Sequence, residues 1–106
     1  MVFDELLGVL REFRDARGWR KYHTLKNLAS SIVIESSELL ELFQWTRSVE
    51  EERRIVESRR EEVEEEVADI LIYLLFFCDV AGIDPIRAFR KKMAKNERRF
   101  PVGYEF

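Results

Sequence analysis

Arg59-Arg60-Glu61-Glu62-Val63-Glu64-Glu65-Glu66-Val67-Ala68-Asp69-Ile70-Leu71-Ile72-Tyr73-Leu74-Leu75-Phe76-Phe77-Cys78-Asp79-Val80-Ala81 is the stretch whose reading decides the fold. It contains no Gly or Pro and becomes apolar nearly all round after Asp69, which predicts one long helix buried on several sides. Glu62, Glu66, Asp69 and Tyr73 share a stripe of that helix by the three-and-four spacing of helical neighbours. Upstream, Ser31, Glu35, Glu38, Leu42 and Trp45 share a stripe in the same way. Each stripe aims two carboxylates in one direction and ends in an aromatic ring.

The setting of these acids separates them from ordinary surface charge. Glu35 follows Ile32-Val33-Ile34, and Asp69 lies between Val67-Ala68 and Ile70-Leu71-Ile72. A carboxylate taken out of water must find a cation or take up a proton, and several converging carboxylates raise that cost. A divalent metal relieves it, and an all-oxygen donor set favours Mg²⁺ or Mn²⁺ over Zn²⁺. A second reading stays open from the residues alone. Glu is a good helix former, and Glu61, Glu62, Glu64 and Glu65 read equally well as a solvated face.

Outward from this stretch, every segment reads as helix or connector. A first helix is expected over Val2 to Arg17, with Phe3, Leu6, Leu7, Leu10 and Phe13 on its apolar face and Gly18 as its stop. Trp19 to His23 connects it to a second helix, which starts from an N-cap at Thr24 and runs to Trp45. Ser48 with Glu51 and Ser58 with Glu61 read as capping boxes, which leaves open a short separate helix in the charged stretch after Arg47. Gly82 closes the long helix, Asp84-Pro85 starts another that runs to Arg99, and the aromatic tail Phe100 to Phe106 is non-helical. A single all-α domain over residues 1–106 follows, with no strand pattern or repeat. So few helices cannot cover a long helix that is apolar on so many faces, so dimerisation through the two acid-bearing helices is expected.

Composition narrows the function. Hydrophobic residues at 46% beside charged residues at 37% describe an amphipathic chain, large enough at 106 residues for its own core. A net charge of −3 argues against a general nucleic-acid binder. The charge is uneven, with acids from Glu35 to Asp69 and a basic last helix carrying Arg87, Arg90, Lys91, Lys92, Lys95, Arg98 and Arg99. That asymmetry suits a metal site facing an anion site, and it equally suits a solvated helix face. The lone Cys78 excludes an internal disulfide and reads as core packing. With no signal-like start and no apolar run long enough for a bilayer, a cytoplasmic protein without a membrane partner is expected.

Exclusion narrows the chemistry. With one His and one Cys, no nucleophilic triad can be assembled. Neither acidic pair is followed by the histidine of a di-iron site, and no glycine-rich phosphate loop is present. Metal-assisted hydrolysis of a phosphoanhydride remains. Trp45 and Tyr73 sit within a turn or two of the acids, where a planar base could stack, although large rings also fill helical interfaces.

Taken together, Trp19-x-x-x-His23, Lys26-Asn27-Leu28, Glu35-x-x-Glu38-Leu39, Phe43-Gln44-Trp45, Glu65-Glu66-Val67-Ala68-Asp69-Ile70-Leu71-Ile72-Tyr73 and Lys92-x-x-x-Asn96-x-x-Arg99-Phe100-Pro101 resemble the MazG-like nucleoside triphosphate pyrophosphohydrolases, nearest the dCTP pyrophosphatase branch. The resemblance covers Trp19 to Pro101. It implies a four-helix MazG-like bundle completed as a homodimer or homotetramer, and Mg²⁺-dependent hydrolysis of a nucleoside triphosphate to the monophosphate and pyrophosphate, a nucleotide house-cleaning activity. It implies that Glu35, Glu38, Glu66 and Asp69 are catalytic metal ligands. Lys92, Asn96 and Arg99 would hold phosphates, Trp19, Trp45 and Tyr73 would frame the base, and His23 and Asn27 would line the pocket. Ser37 stands where the family often has Gly, and Phe100 where several relatives have Tyr. The competing expectation is a non-catalytic helical dimer that binds a nucleotide or a protein and uses the acids structurally.

Overall fold

The computed structural model describes residues 2–105, so Phe106, the last ring of the tail, lies outside the described residues. Five α-helices follow one another: α1 Val2–Ala16, α2 Leu25–Phe43, α3 Val49–Ser58, α4 Arg60–Ala81 and α5 Pro85–Arg99, with a 3₁₀ turn at Trp19–Tyr22 between α1 and α2. Among the described residues there is no strand. The all-α expectation holds, and the charged stretch is indeed a separate helix.

The boundaries obey local chemistry. Thr24 caps α2 by accepting a bond from the Asn27 amide at 3.1 Å, and Asp84 caps α5 by accepting from Ile86 and Arg87. Gly18 and Gly82 take the left-handed conformation, with φ of 64° and 69°, where a side chain would be strained. Ser48 caps α3 through the Glu51 amide, and the Glu51 carboxylate reaches back to the Arg47 amide, one residue earlier than in a standard capping box. The second capping box does not form. Ser58 is the last residue of α3 and donates to the Arg54 carbonyl, while α4 starts from Arg59 without a side-chain cap. The chain bends at Arg59, so α3 and α4 satisfy their ends differently from what the Ser58-Glu61 spacing suggests.

The dominant packing is α2 against α4. His23, just before α2, packs on Phe76 late in α4, and Glu35 and Glu38 meet Glu66 midway, so the two helices run antiparallel. Leu28, Leu75, Phe76 and Cys78 are buried around this pair, joined by Leu7 from α1. Cys78 is core, as expected.

The rest of the molecule is open. The radius of gyration is 17.1 Å, against about 13 Å for a compact domain of this length. The accessible surface is 8752 Å², whereas a monomer of this mass should expose about 6,200 Å². The surplus is apolar in the places that matter. Val67, Leu71 and Leu74 form an uncovered stripe on α4, and Val33 and Leu40 another on α2. On α5, Ile86, Phe89 and Met93 are likewise exposed, and α5 packs little against the other helices. The tail folds on itself, with the Phe100 and Tyr104 rings edge to face at 5.1 Å.

Candidate active site

Antiparallel pairing of α2 and α4 turns two separate acidic stripes into one cluster. One carboxylate oxygen each from Glu35, Glu38 and Glu66 lies within 4.8 Å of the other two, and all three side chains are half-buried. Glu35 Oε2 and Glu66 Oε2 are buried without a hydrogen-bond partner. Such oxygens are costly in a fold unless something else binds them. Burial, then the neighbouring Glu38 and the charges of Asp69 and Glu66, pushes the Glu35 carboxyl up to about 7. Burial and the Glu38 charge push Glu66 up as well. Three hard oxygen donors converging, two of them unsatisfied, fit a divalent metal.

Asp69 lies one turn along α4 from Glu66. It contributes charge to the cluster and also lines a cavity of about 260 Å³ with Phe13, Trp19, His23, Ile72, Tyr73 and Phe76. α1 and the 3₁₀ turn supply one wall of this cavity, and α4 the other. Trp19 meets Phe13 edge to face at 5.5 Å, and the Arg17 guanidinium lies 3.6 Å over the Phe13 ring. The His23 ring lies against Phe76 at 4.6 Å between centroids, tilted by 60°, and its Nδ1 is buried without a partner. Burial, and secondarily the positive charge of Arg14, lowers the His23 pKa, which keeps the ring neutral at pH 7.

The structure therefore brings Glu35, Glu38 and Glu66 together and places Trp19, His23, Asp69 and Tyr73 around the neighbouring cavity; Asp69, expected as a fourth ligand, is not among the oxygens that converge within 4.8 Å. It does not bring the others there within one chain. Trp45 is 83% exposed and lines a separate groove of about 390 Å³ with Leu42, Thr46, Ile55 and Arg59, at the opposite end of the acid cluster from the aromatic cavity. Asn27 spends its side-chain amide on the Tyr22 carbonyl at 3.0 Å. Lys92 lies on a shallow, exposed part of α5 beside Lys91 and Lys95. Asn96 faces Met93, and the Arg99 guanidinium lies 5.2 Å from the centre of the Phe100 ring. Ser37 is exposed and bonds to the Ile34 carbonyl of its own helix, so it crowds nothing at the site.

Phe13, Ile72 and Phe76 also line the cavity, although the sequence pattern marks Phe13 only as part of an apolar face and gives Ile72 and Phe76 no role at a site. Phe76 could have been found, since it continues the Asp69 and Tyr73 stripe by one more turn. Phe13 could not, because its place depends on how α1 docks.

The MazG-like family model matches residues 30–106. Among curated proteins the chain is 37% identical to dCTP pyrophosphatase 1 of Homo sapiens and 39% identical to that of Bos taurus, each over 102 residues. These matches cover 95% of this chain, which spans only 60% of the length of either relative. Among solved structures, a pyrophosphatase from Archaeoglobus fulgidus superposes with a TM-score of 0.93 at 65% identity, covering 95% of this chain and 94% of that one.

Proposed function

The chain belongs to the MazG-like family, and from that premise we propose that it is a nucleoside triphosphate pyrophosphohydrolase, releasing the monophosphate and pyrophosphate to keep the nucleotide pool clean. One observation carries the reading: three carboxylates, two with unpartnered oxygens, converge one helical turn from Asp69, which lines an aromatic cavity. The names of the relatives supply the reaction class, and dCTP-type substrates are the first to consider.

In this reading Glu35, Glu38, Glu66 and Asp69 hold the metal, which is Mg²⁺ with Mn²⁺ able to replace it, because every donor is a hard oxygen. When bound, the ion neutralises the carboxylates, polarises phosphate oxygens and lowers the pKa of a water. One carboxylate of the group orients the attacking water. The aromatic cavity, near the low end of the size range of ligand pockets, takes a planar ring between Trp19 and Tyr73. Neutral His23 can offer one nitrogen as donor and the other as acceptor to the base edge. The phosphates then lie over the carboxylates, and Lys92, Asn96 and Arg99 supply the facing anion site.

That facing site requires a second copy of the chain. The uncovered stripes on α2, α4 and α5 and the surplus surface of roughly 2,500 Å² per chain match what an obligate interface removes from water. A homodimer, or a homotetramer built from it, covers these faces and can also give Trp45 a site to cap. No helix among the described residues is long and apolar enough to cross a membrane. Free, buried Cys78 accords with a cytoplasmic location.

The test is a panel of canonical and modified nucleoside triphosphates incubated with and without Mg²⁺, with products resolved by chromatography. Metal-dependent release of monophosphate and pyrophosphate from a subset supports the reading. No turnover of any member by folded protein with Mg²⁺ contradicts it.

A further inference from the structure

Arg14 is the only buried charged residue among the described residues, with 3% of its surface exposed. Its Nη1 donates to Asp79 Oδ2 at 3.0 Å and its Nε to Asp15 Oδ1 at 2.9 Å. Asp79 also accepts from Arg11 Nε at 3.0 Å, so two arginines of α1 grip one carboxylate of α4. None of these residues touches the acid cluster or lines the aromatic cavity. A buried ion pair is a weak source of net stability, but it fixes geometry well.

Its position gives it a use. Arg14 follows Phe13 directly in α1, and Asp79 lies three residues beyond Phe76 on α4. Phe13 and Phe76 are on opposite walls of the cavity. Few apolar contacts tie α1 down, since Leu6, Val9 and Phe13 stay 42%, 66% and 43% exposed, Phe3 and Leu10 are half-buried, and Leu7 is its one fully buried apolar residue among those described. The width of the cavity is therefore set by the distance between α1 and α4 at this ion pair. The wall that moves with α1 includes Trp19, which packs on Phe13.

Building on the nucleotide reading above, we propose that Arg14 and Asp79 are positioning residues for the aromatic cavity: their ion pair holds Phe13 and Trp19 at a set spacing from Tyr73 and Phe76. The pair contacts no reacting atom. It acts on how well the base is held, not on the hydrolytic step.

The test uses the full chain with Trp45→Phe, so that Trp19 is the only tryptophan. Into it go Asp79→Asn, which removes the charge at nearly constant shape, and Arg14→Lys, which keeps the charge but cannot reach Asp15 and Asp79 together. Arg14→Lys is the milder change and keeps the test decisive should Asp79→Asn fail to fold. In variants that remain helical by circular dichroism, Trp19 emission should shift to the red and its quenching by acrylamide should rise. KM should rise about tenfold while kcat stays within about twofold, as expected when binding shared by the ground and transition states is lost. Asp79→Glu, which can still pair, should restore most of both signals. An unchanged Trp19 signal, or an equal loss of kcat and kcat/KM, overturns the proposal. The fluorescence readout needs no turnover, so an inactive wild-type chain would sink the enzymatic reading and still leave the positioning claim tested.

Discussion

The α2–α4 pair and helix α5 carry opposite charge, and they differ in how much of their work one chain can do. α2 and α4 pack along their length, converge three carboxylates and bury the core residues Leu28, Leu75 and Phe76. α5 holds Lys92 and Arg99 on a helix that packs little on anything, with Ile86, Phe89 and Met93 exposed. Intrachain packing thus builds the acidic cluster, whereas in the proposed reading the basic half would wait on assembly. Acidic groups need a rigid frame because like charges must be forced together. Long cationic side chains on an amphipathic helix can be delivered by a neighbour.

The largest expected effect breaks the acidic half. Glu38→Ala or Asp69→Ala should lower kcat by about 100- to 1,000-fold or more while helical content by circular dichroism is unchanged. Full activity in both variants would remove the cluster from the chemistry. Next comes the assembly. Leu71→Asp places a charge in the centre of the exposed α4 stripe, and light scattering should then report a monomer with its Tm lowered by at least about 5 °C. A native oligomer from that variant would show that the stripe is not the interface. The basic half should respond more mildly, with Lys92→Ala raising KM by about tenfold and leaving kcat within about threefold, as expected for loss of one charge-assisted contact. Equal loss in kcat would place Lys92 in the reacting centre.

The smallest effect is a pH dependence whose sign separates the acid cluster from the Arg14–Asp79 ion pair. The Glu35 carboxyl is raised to about 7 in the fold, so its contribution to stability is present below its ordinary value of 4.5 and is lost as pH rises through about 7. Metal-free protein should therefore lose a few degrees of Tm between about pH 5 and pH 8, and Mg²⁺ should remove that loss. Asp79 has the opposite sign. Its arginine partners hold it below the usual carboxylate range, so it stabilises above pH 3.8 and fails only in stronger acid. A metal-free Tm that is flat or rises from pH 5 to pH 8 would contradict the crowding at Glu35.

What was legible in the sequence follows the same division. Caps at Thr24 and Asp84 and the glycine stops are local matters, fixed within one or two helical turns, and the structure has them as expected, whereas Trp45, expected to end the first acidic stripe, lies beyond α2 in a separate groove. That the two stripes meet within one chain was not legible, since it depends on the antiparallel docking of α2 on α4. The break at Arg59 was left open, and the Ser58-Glu61 spacing misled because Ser58 could bond backward to Arg54 as easily as forward. Phe13 and the Arg14–Asp79 pair were not legible at all. Both depend on the docking of α1 onto α4 across more than sixty residues of chain, and nothing local in α1 marks Arg14 as buried.

The central claim is that Glu35, Glu38 and Glu66, with Asp69, form a divalent-metal site. It is tested most directly by titrating Mn²⁺ into the protein and counting bound ion by electron paramagnetic resonance, for wild type and for folded Glu38→Gln and Glu66→Gln. The account predicts saturable binding to wild type that weakens by at least about tenfold in each variant and falls as pH drops below about 7. Equal Mn²⁺ affinity in all three proteins, or no saturable binding to wild type at pH 8, would contradict it.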